Sequence, residues 1–166
     1  SGFSEGSVMR ILVLGVGNIL LTDEAIGVRI VEALEQRYIL PDYVEILDGG
    51  TAGMELLGDM ANRDHLIIAD AIVSKKNAPG TMMILRDEEV PALFTNKISP
   101  HQLGLADVLS ALRFTGEFPK KLTLVGVIPE SLEPHIGLTP TVEAMIEPAL
   151  EQVLAALRES GVEAIP

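Results

Sequence analysis

Glu24, Asp70 and His101 are the residues of this chain whose types and positions could together hold a divalent metal ion. Glu24 follows the first predicted strand, Asp70 ends the third, and His101 lies in the first turn of a predicted helix. Two carboxylates and one imidazole suit a divalent transition metal and leave coordination positions open. Because a helix N-terminus disfavours imidazolium, we expect His101 to be neutral and able to donate a nitrogen lone pair.

The elements that must position these residues alternate between strand-like and helix-like patterns, which is typical of an α/β fold. We predict three layers: a twisted, mostly parallel five-stranded sheet with helices on both faces. Ligands of such sheets bind beyond the carboxyl ends of the strands, where the strand order reverses, here between strands one and three. Neighbouring strands lie about 4.8 Å apart, so Glu24 and Asp70 would flank one crevice.

The predicted elements are spread over the whole chain after its first residues. Strands are expected at 11–14, 43–47, 66–69, 82–85 and 122–127, and helices at 23–37, 52–60, 99–114 and from 139 onward. Ser99, Pro100 and Gln102 have the form of a capping box. The segment 87–98 is predicted as a loop with a helical turn at most, and Pro148 is predicted to kink the last helix.

The loop from Gly15 to Glu24 resembles a phosphate-binding turn but carries the wrong charge for one. Asp23 and Glu24 fall in the first helical turn, where they would repel a phosphate, and Leu20 replaces the third glycine of the dinucleotide fingerprint. A cation is therefore the better ligand. Asp23 is interpreted as a complement to the helix dipole.

Each candidate also has an ordinary structural interpretation. Glu24 could complement the helix dipole, Asp70 could form an Asx-turn or a cap, and His101 could be solvated. The other histidines fit a site less well, because His65 precedes strand three at the opposite edge and His135 lies in a loop without a spacing signal. The metal hypothesis depends on all three candidate residues lying at one edge of the sheet, which their ordinary structural interpretations do not require.

The composition excludes several classes of function. The 166 residues predict one domain over 9–166, after a small, polar segment at 1–8 that we expect to be a cloning remnant. The chain has no cysteine, which excludes disulfides and thiolate chemistry, and no Gly-x-Ser-x-Gly turn. A net charge of −12 argues against nucleic acid and anionic membranes as partners. No apolar run is long enough to span a bilayer, and we expect a cytoplasmic protein.

Several motifs in the same order resemble the maturation endopeptidases of nickel–iron hydrogenases, and most closely the branch that processes the hydrogenase 2 large subunit. They are Gly15 to Gly27, Asp48-Gly49-Gly50-Thr51 with Gly53, Asp70-Ala71, Pro79-Gly80, Ser99-Pro100-His101 and Gly137-Leu138-Thr139. The resemblance covers the chain from Met9 onward. Ala25 stands where many relatives have glycine.

The resemblance implies a cytoplasmic protease that removes a C-terminal extension from the hydrogenase large-subunit precursor once nickel is inserted. It implies nickel, carried by the substrate, as the metal met by Glu24, Asp70 and His101, and either metal-assisted or aspartic-type catalysis. The resemblance implies that the double-glycine loop Asp48-Gly49-Gly50-Thr51 contacts the substrate. Apart from the resemblance, the position of Asp48 at the end of strand two predicts that it fixes the Gly49-Gly50 turn. The alternative is a nickel-sensing chaperone that binds the large subunit without cutting it.

Overall fold

The computed structural model of the chain describes residues 8–51, 53–95 and 100–166, and describes only the backbone of residues 100 and 101. Its strands are β1 (Ile11–Gly15), β2 (Val44–Asp48), β3 (His65–Ala71), β4 (Met82–Arg86) and β5 (Lys121–Val127). Over these residues they form one five-stranded sheet in the order β2-β1-β3-β5-β4. Only β4, at one edge of this sheet, runs antiparallel to its neighbour. The predicted fold class is confirmed.

Helices cover both faces of the sheet because its central strands are apolar on both sides. The helices are α1 (Ile26–Arg37), α2 (Leu57–Met60), α3 (Glu89–Thr95), α4 (Pro100–Thr115), α5 (Pro140–Glu143) and α6 (Ile146–Glu159). Ile11 and Val13 of β1 belong to the core under α1 and α6. Leu12 and Leu14 belong to the core under α3 and α4. Among the described residues, no helix has both the length and the apolar character needed to cross a membrane.

Four predicted elements differ from the structure. The helix predicted at 52–60 consists of a 3-10 turn at Met54–Leu56 followed by the short α2. The first helix begins with a 3-10 turn at Thr22–Ala25, and the segment predicted as mostly loop contains α3. The last helix is broken at residues 144 and 145 rather than kinked at Pro148. Because proline has no N–H to donate to the carbonyl of Ala144, the helix restarts so that Pro148 falls in the first turn of α6.

His65 lies at the amino edge of the sheet, opposite the predicted site, as expected. It is fully buried as the first residue of β3, and its ring nitrogens lie 2.8 Å from Ser160 Oγ and 2.8 Å from Thr123 Oγ1. Burial, followed by the charge of Lys121, lowers the pKa of His65 from 6.5 to about 4. The imidazole is therefore a neutral part of the core at physiological pH.

This lowered pKa predicts a loss of stability in mild acid. Below pH 6.5 the unfolded chain takes up a proton at His65 that the folded chain refuses until about pH 4. The free energy of unfolding should therefore fall by up to about 3 kcal/mol across this window. Urea unfolding at several pH values checks this, because the free energy of unfolding should fall less steeply toward pH 4 in the His65→Asn protein than in the wild-type protein. Identical slopes in the two proteins would contradict it.

Candidate functional site

Glu24 and Asp70 lie at the same carboxyl edge of the sheet, because α1 begins directly on the end of β3. A Cβ added to Gly27 would lie 2.2 Å from the carbonyl oxygen of Ala69, so only glycine permits this approach. Glu24 lies in the 3-10 turn that precedes α1, and Asp70 follows Ala69 in β3. The Asp70 side chain is fully buried, whereas Glu24 is half-buried.

The first turn of α4 lies at this edge too. Gln102 is fully buried, and its Nε2 donates a hydrogen bond of 3.0 Å to the carbonyl oxygen of Ala71, the residue after Asp70. The backbone of His101 therefore lies beside the end of β3, as predicted. The His101 side chain lies outside the described part of the structure, and so does Ser99. The predicted capping box involves Ser99 and therefore also lies outside the described residues, whereas the Nε2 group of Gln102 binds the end of the sheet.

The described side chains at this edge include those of Glu24 and Asp70 but not that of His101. Among the described side chains, no His, Cys, Asp or Glu residues form a group of three able to hold a metal. The set of Glu24, Asp70 and His101 therefore stays a prediction.

The loop after β1 holds the carboxylate of Glu24. The Asn18 N–H donates a hydrogen bond of 3.0 Å to Glu24 Oε1, and Asn18 Oδ1 accepts one of 2.9 Å from the Leu20 N–H. Gly17 has a φ of 141°, and a Cβ there would lie 1.9 Å from the Glu24 carbonyl oxygen. The glycine-rich turn therefore directs a backbone N–H at a carboxylate of the protein itself.

The double-glycine loop after β2 packs against this turn. Asp48 Oδ1 accepts a hydrogen bond of 2.9 Å from the Gly50 N–H, which confirms that Asp48 fixes the turn. The Gly50 carbonyl accepts one of 2.7 Å from the Gly17 N–H, and the Gly49 N–H donates one of 2.8 Å to Gly15. An open cavity of about 410 Å³ lies between the two loops, lined by Gly17, Asn18, Ile19, Leu20, Asp48, Gly50 and Thr51. Gly49 lies below this cavity against Leu14.

Asp23 has a larger structural role than the sequence predicts. It is fully buried, and Oδ2 accepts hydrogen bonds from the Glu130 N–H, the Ser131 N–H and Thr139 Oγ1 at 2.9, 3.0 and 2.8 Å. Its Oδ1 accepts one from the Thr139 N–H at 2.8 Å. Asp23 therefore anchors the loop between β5 and α5, and its interpretation as a complement to the helix dipole is incomplete. No local pattern near Asp23 identifies these distant donors.

The loops after β1 and β5 also pair through their backbones. The His135 N–H donates 3.0 Å to the Leu20 carbonyl, and the Thr22 N–H donates 2.9 Å to the His135 carbonyl. Thr22 Oγ1 donates to the Glu133 carbonyl. His135 is exposed at the carboxyl edge, where the sequence places it. The two loops therefore form one ordered surface beside Glu24.

Known proteins resemble this chain in sequence and in fold. The family model for hydrogenase maturation proteases (HycI) matches residues 28–156. The hydrogenase expression/formation protein HupM of Azotobacter chroococcum mcd 1 is 48% identical over 97% of this chain and 78% of its own length. The solution structure of an endopeptidase from Escherichia coli is 99% identical, with a TM-score of 0.92 over 95% of this chain and 98% of that one.

A more distant structure has the same architecture. The crystal structure of a hydrogenase 2 maturation peptidase from a Thaumarchaeota archaeon is 35% identical, with a TM-score of 0.67 over 89% of this chain and 97% of that one. The family model, the sequence identities and the shared fold lead to one conclusion: this chain belongs to the hydrogenase maturation protease family.

Proposed function

We propose that this chain is an endopeptidase that removes a C-terminal extension from the large-subunit precursor of a nickel–iron hydrogenase after nickel insertion. Membership of the protease family supports the reaction class. The observation that carries the rest of the proposal is the position of Glu24 and Asp70, which lie at one sheet edge beside the first turn of α4. The predicted cytoplasmic location belongs to the same proposal.

In this proposal, nickel is part of the substrate. Glu24, Asp70 and His101 would meet a nickel ion that the precursor already holds, so that only a metal-loaded precursor is presented correctly. The nickel then either polarises the scissile carbonyl or positions it for a water molecule activated by a carboxylate. In both cases the water oxygen adds to the carbonyl carbon, the C–N bond breaks, and a proton passes to the leaving amine.

The charge of the two carboxylates favours this mechanism over an aspartic-type pair. Two carboxylates that act alone share one proton, because two like charges at close range raise the pKa of one of them. A cation between them keeps both ionised. The buried Asp70 and the half-buried Glu24 would therefore be compensated by the metal of the substrate.

Incubation of the purified protein with a nickel-loaded and a nickel-free precursor tests the proposed function. Mass spectrometry should show loss of the C-terminal extension from the nickel-loaded precursor alone. A chaperone that senses nickel would leave the length of both precursors unchanged. Cleavage of both precursors at equal rates would refute the metal requirement but not the peptidase activity.

Variants of the predicted metal ligands should separate chemistry from folding. Asp70→Asn and His101→Ala are expected to reduce the cleavage rate at least about a hundredfold, because each removes a ligand that positions the reacting centre. Circular dichroism should show an unchanged fold. Asp107→Asn, a change at an exposed carboxylate of α4, is the matched control and should cleave at the wild-type rate. Full cleavage by either ligand variant would refute the assignment.

A further inference from the structure

A group of large apolar side chains is exposed beside Glu24. Ile19, Leu20, Leu132 and Ile136 have exposed fractions of 40%, 55%, 38% and 66%, and we call them the apolar rim. They come from the two loops that pair through Leu20 and His135, so the rim is continuous across both loops. Ile19 and Leu20 also line the cavity between the loops after β1 and β2. Exposed apolar side chains grouped beside a cavity indicate a surface for binding another polypeptide.

The apolar rim is ordered before any partner binds. The backbone hydrogen bonds between the loops hold Leu20 close to residues 131–135. The buried carboxylate of Asp23 also accepts hydrogen bonds from the backbone of the β5–α5 loop and so fixes the position of that loop. A surface that is already ordered loses little conformational entropy on binding, so its apolar area is available for affinity.

The charge around the apolar rim indicates the chemistry of the partner. The segments 16–24, 48–60 and 129–145 contain no Lys or Arg. Asp48, Glu55, Glu130 and Glu133 are exposed in these same segments. A second copy of this chain would bring the same acidic loops and a net charge of −12, and an anionic membrane would also be repelled. The complementary partner carries bulky apolar side chains together with Lys or Arg.

We infer that the apolar rim binds an apolar and basic segment of the substrate, supplied by the C-terminal region of the large-subunit precursor. This inference rests on the proposed function and extends it, because it assigns substrate affinity to a surface separate from Glu24, Asp70 and His101. The cavity between Ile19, Leu20 and Thr51 lies along the path from the apolar rim to the double-glycine loop. One bound segment can therefore contact both.

A double variant tests the apolar part of the inference. Leu20→Ser with Ile136→Ser should raise KM for the nickel-loaded precursor about tenfold or more at unchanged kcat, because both exposed side chains lose apolar contact with the substrate. Phe114→Ser is the matched control: Phe114 is 93% exposed near the far end of α4, away from the site, and its loss should change neither constant. An unchanged KM in the double variant would overturn the inference.

Charge is tested independently of cleavage. The probe is a fluorescent peptide that alternates lysine with leucine, and its counterpart carries glutamate in place of lysine. The lysine peptide should bind more tightly than its counterpart, lose affinity in the Leu20→Ser/Ile136→Ser protein, and bind more weakly to Glu130→Lys and at high salt. Equal binding of the two peptides would overturn the inference.

The two experiments give different results if the apolar rim does not bind substrate and if the protein is not a peptidase. Cleavage of the precursor with an unaltered KM in the double variant refutes the docking surface and leaves the peptidase in place. Absence of cleavage by the wild-type protein, together with rim-dependent binding of the lysine peptide, refutes the peptidase and supports the surface.

Discussion

Asp23→Ala is expected to reduce the free energy of unfolding by about 4 kcal/mol. The substitution leaves the partly buried N–H groups of Glu130, Ser131 and Thr139 without the acceptor that they share in the folded protein. A buried donor without a partner costs about 1–3 kcal/mol, and costs at one site are not additive. Only the backbone hydrogen bonds then hold the β5–α5 loop against the loop that carries Glu24, so precursor cleavage should also be slower.

Urea unfolding measures this loss, and the exposed carboxylate of Asp107 provides the comparison. Asp107→Ala removes a charge from the exposed side of α4 and should change the free energy of unfolding by less than about 0.5 kcal/mol. Asp23→Asn preserves the size of the side chain but turns an amide group toward backbone donors. Its free energy of unfolding should therefore lie between those of the wild-type and Asp23→Ala proteins. Equal stability of the Asp23→Ala and Asp107→Ala proteins would show that the buried carboxylate is dispensable.

Gly27→Ala is expected to destabilise the protein by about 3 kcal/mol, although the same change stabilises most helices. The added Cβ would lie 2.2 Å from the Ala69 carbonyl oxygen and 2.6 Å from that of Val16. The first of these oxygens accepts a hydrogen bond of 3.1 Å from the Val16 N–H, which joins the ends of β1 and β3. Relief of the clash must move α1 off the sheet, so we also expect slower precursor cleavage.

Gly58→Ala is the matched control for this change. Gly58 is also a helical glycine, but a Cβ added there would have no atom within 4 Å. The variant should therefore be neutral or more stable by up to about 1 kcal/mol. If the close approach of α1 to the sheet is essential, chemical denaturation should show a lower free energy of unfolding for Gly27→Ala and an equal or higher one for Gly58→Ala. The same sign for both would refute this explanation.

The strands and the site edge were predictable because they depend on local pattern and on general rules of topology. β1 and β3 are continuous apolar runs, which only a strand buried on both faces requires. Once both are parallel neighbours, Glu24 and Asp70 must fall at their carboxyl ends. The fixing of the Gly49–Gly50 turn by Asp48 was predictable for a similar reason, since that hydrogen bond spans two residues.

The remaining features depend on partners that are distant in sequence. The sequence pattern identifies Gln102 only by its spacing from Ser99, but its Nε2 group donates to the Ala71 carbonyl 31 residues away. Asp23 has the position of a helix-dipole residue, but its carboxylate binds a loop more than 100 residues later. In both cases the local pattern contains no information on the distant partner, which only tertiary packing provides.

The long separation between Asp23 and its partners also has a consequence for a chain that is still being synthesised. The hydrogen bonds from Thr139 close a loop of 116 residues, and all four parallel strands lie at or before Val127. A growing chain can therefore pair β1 with β2 and β3 before the residues that donate hydrogen bonds to Asp23 have been added. Closure of the longest loops is entropically late in folding. A chain that ends before Thr139 can therefore form these strand pairs, but it lacks a donor that completes the loop beside Glu24.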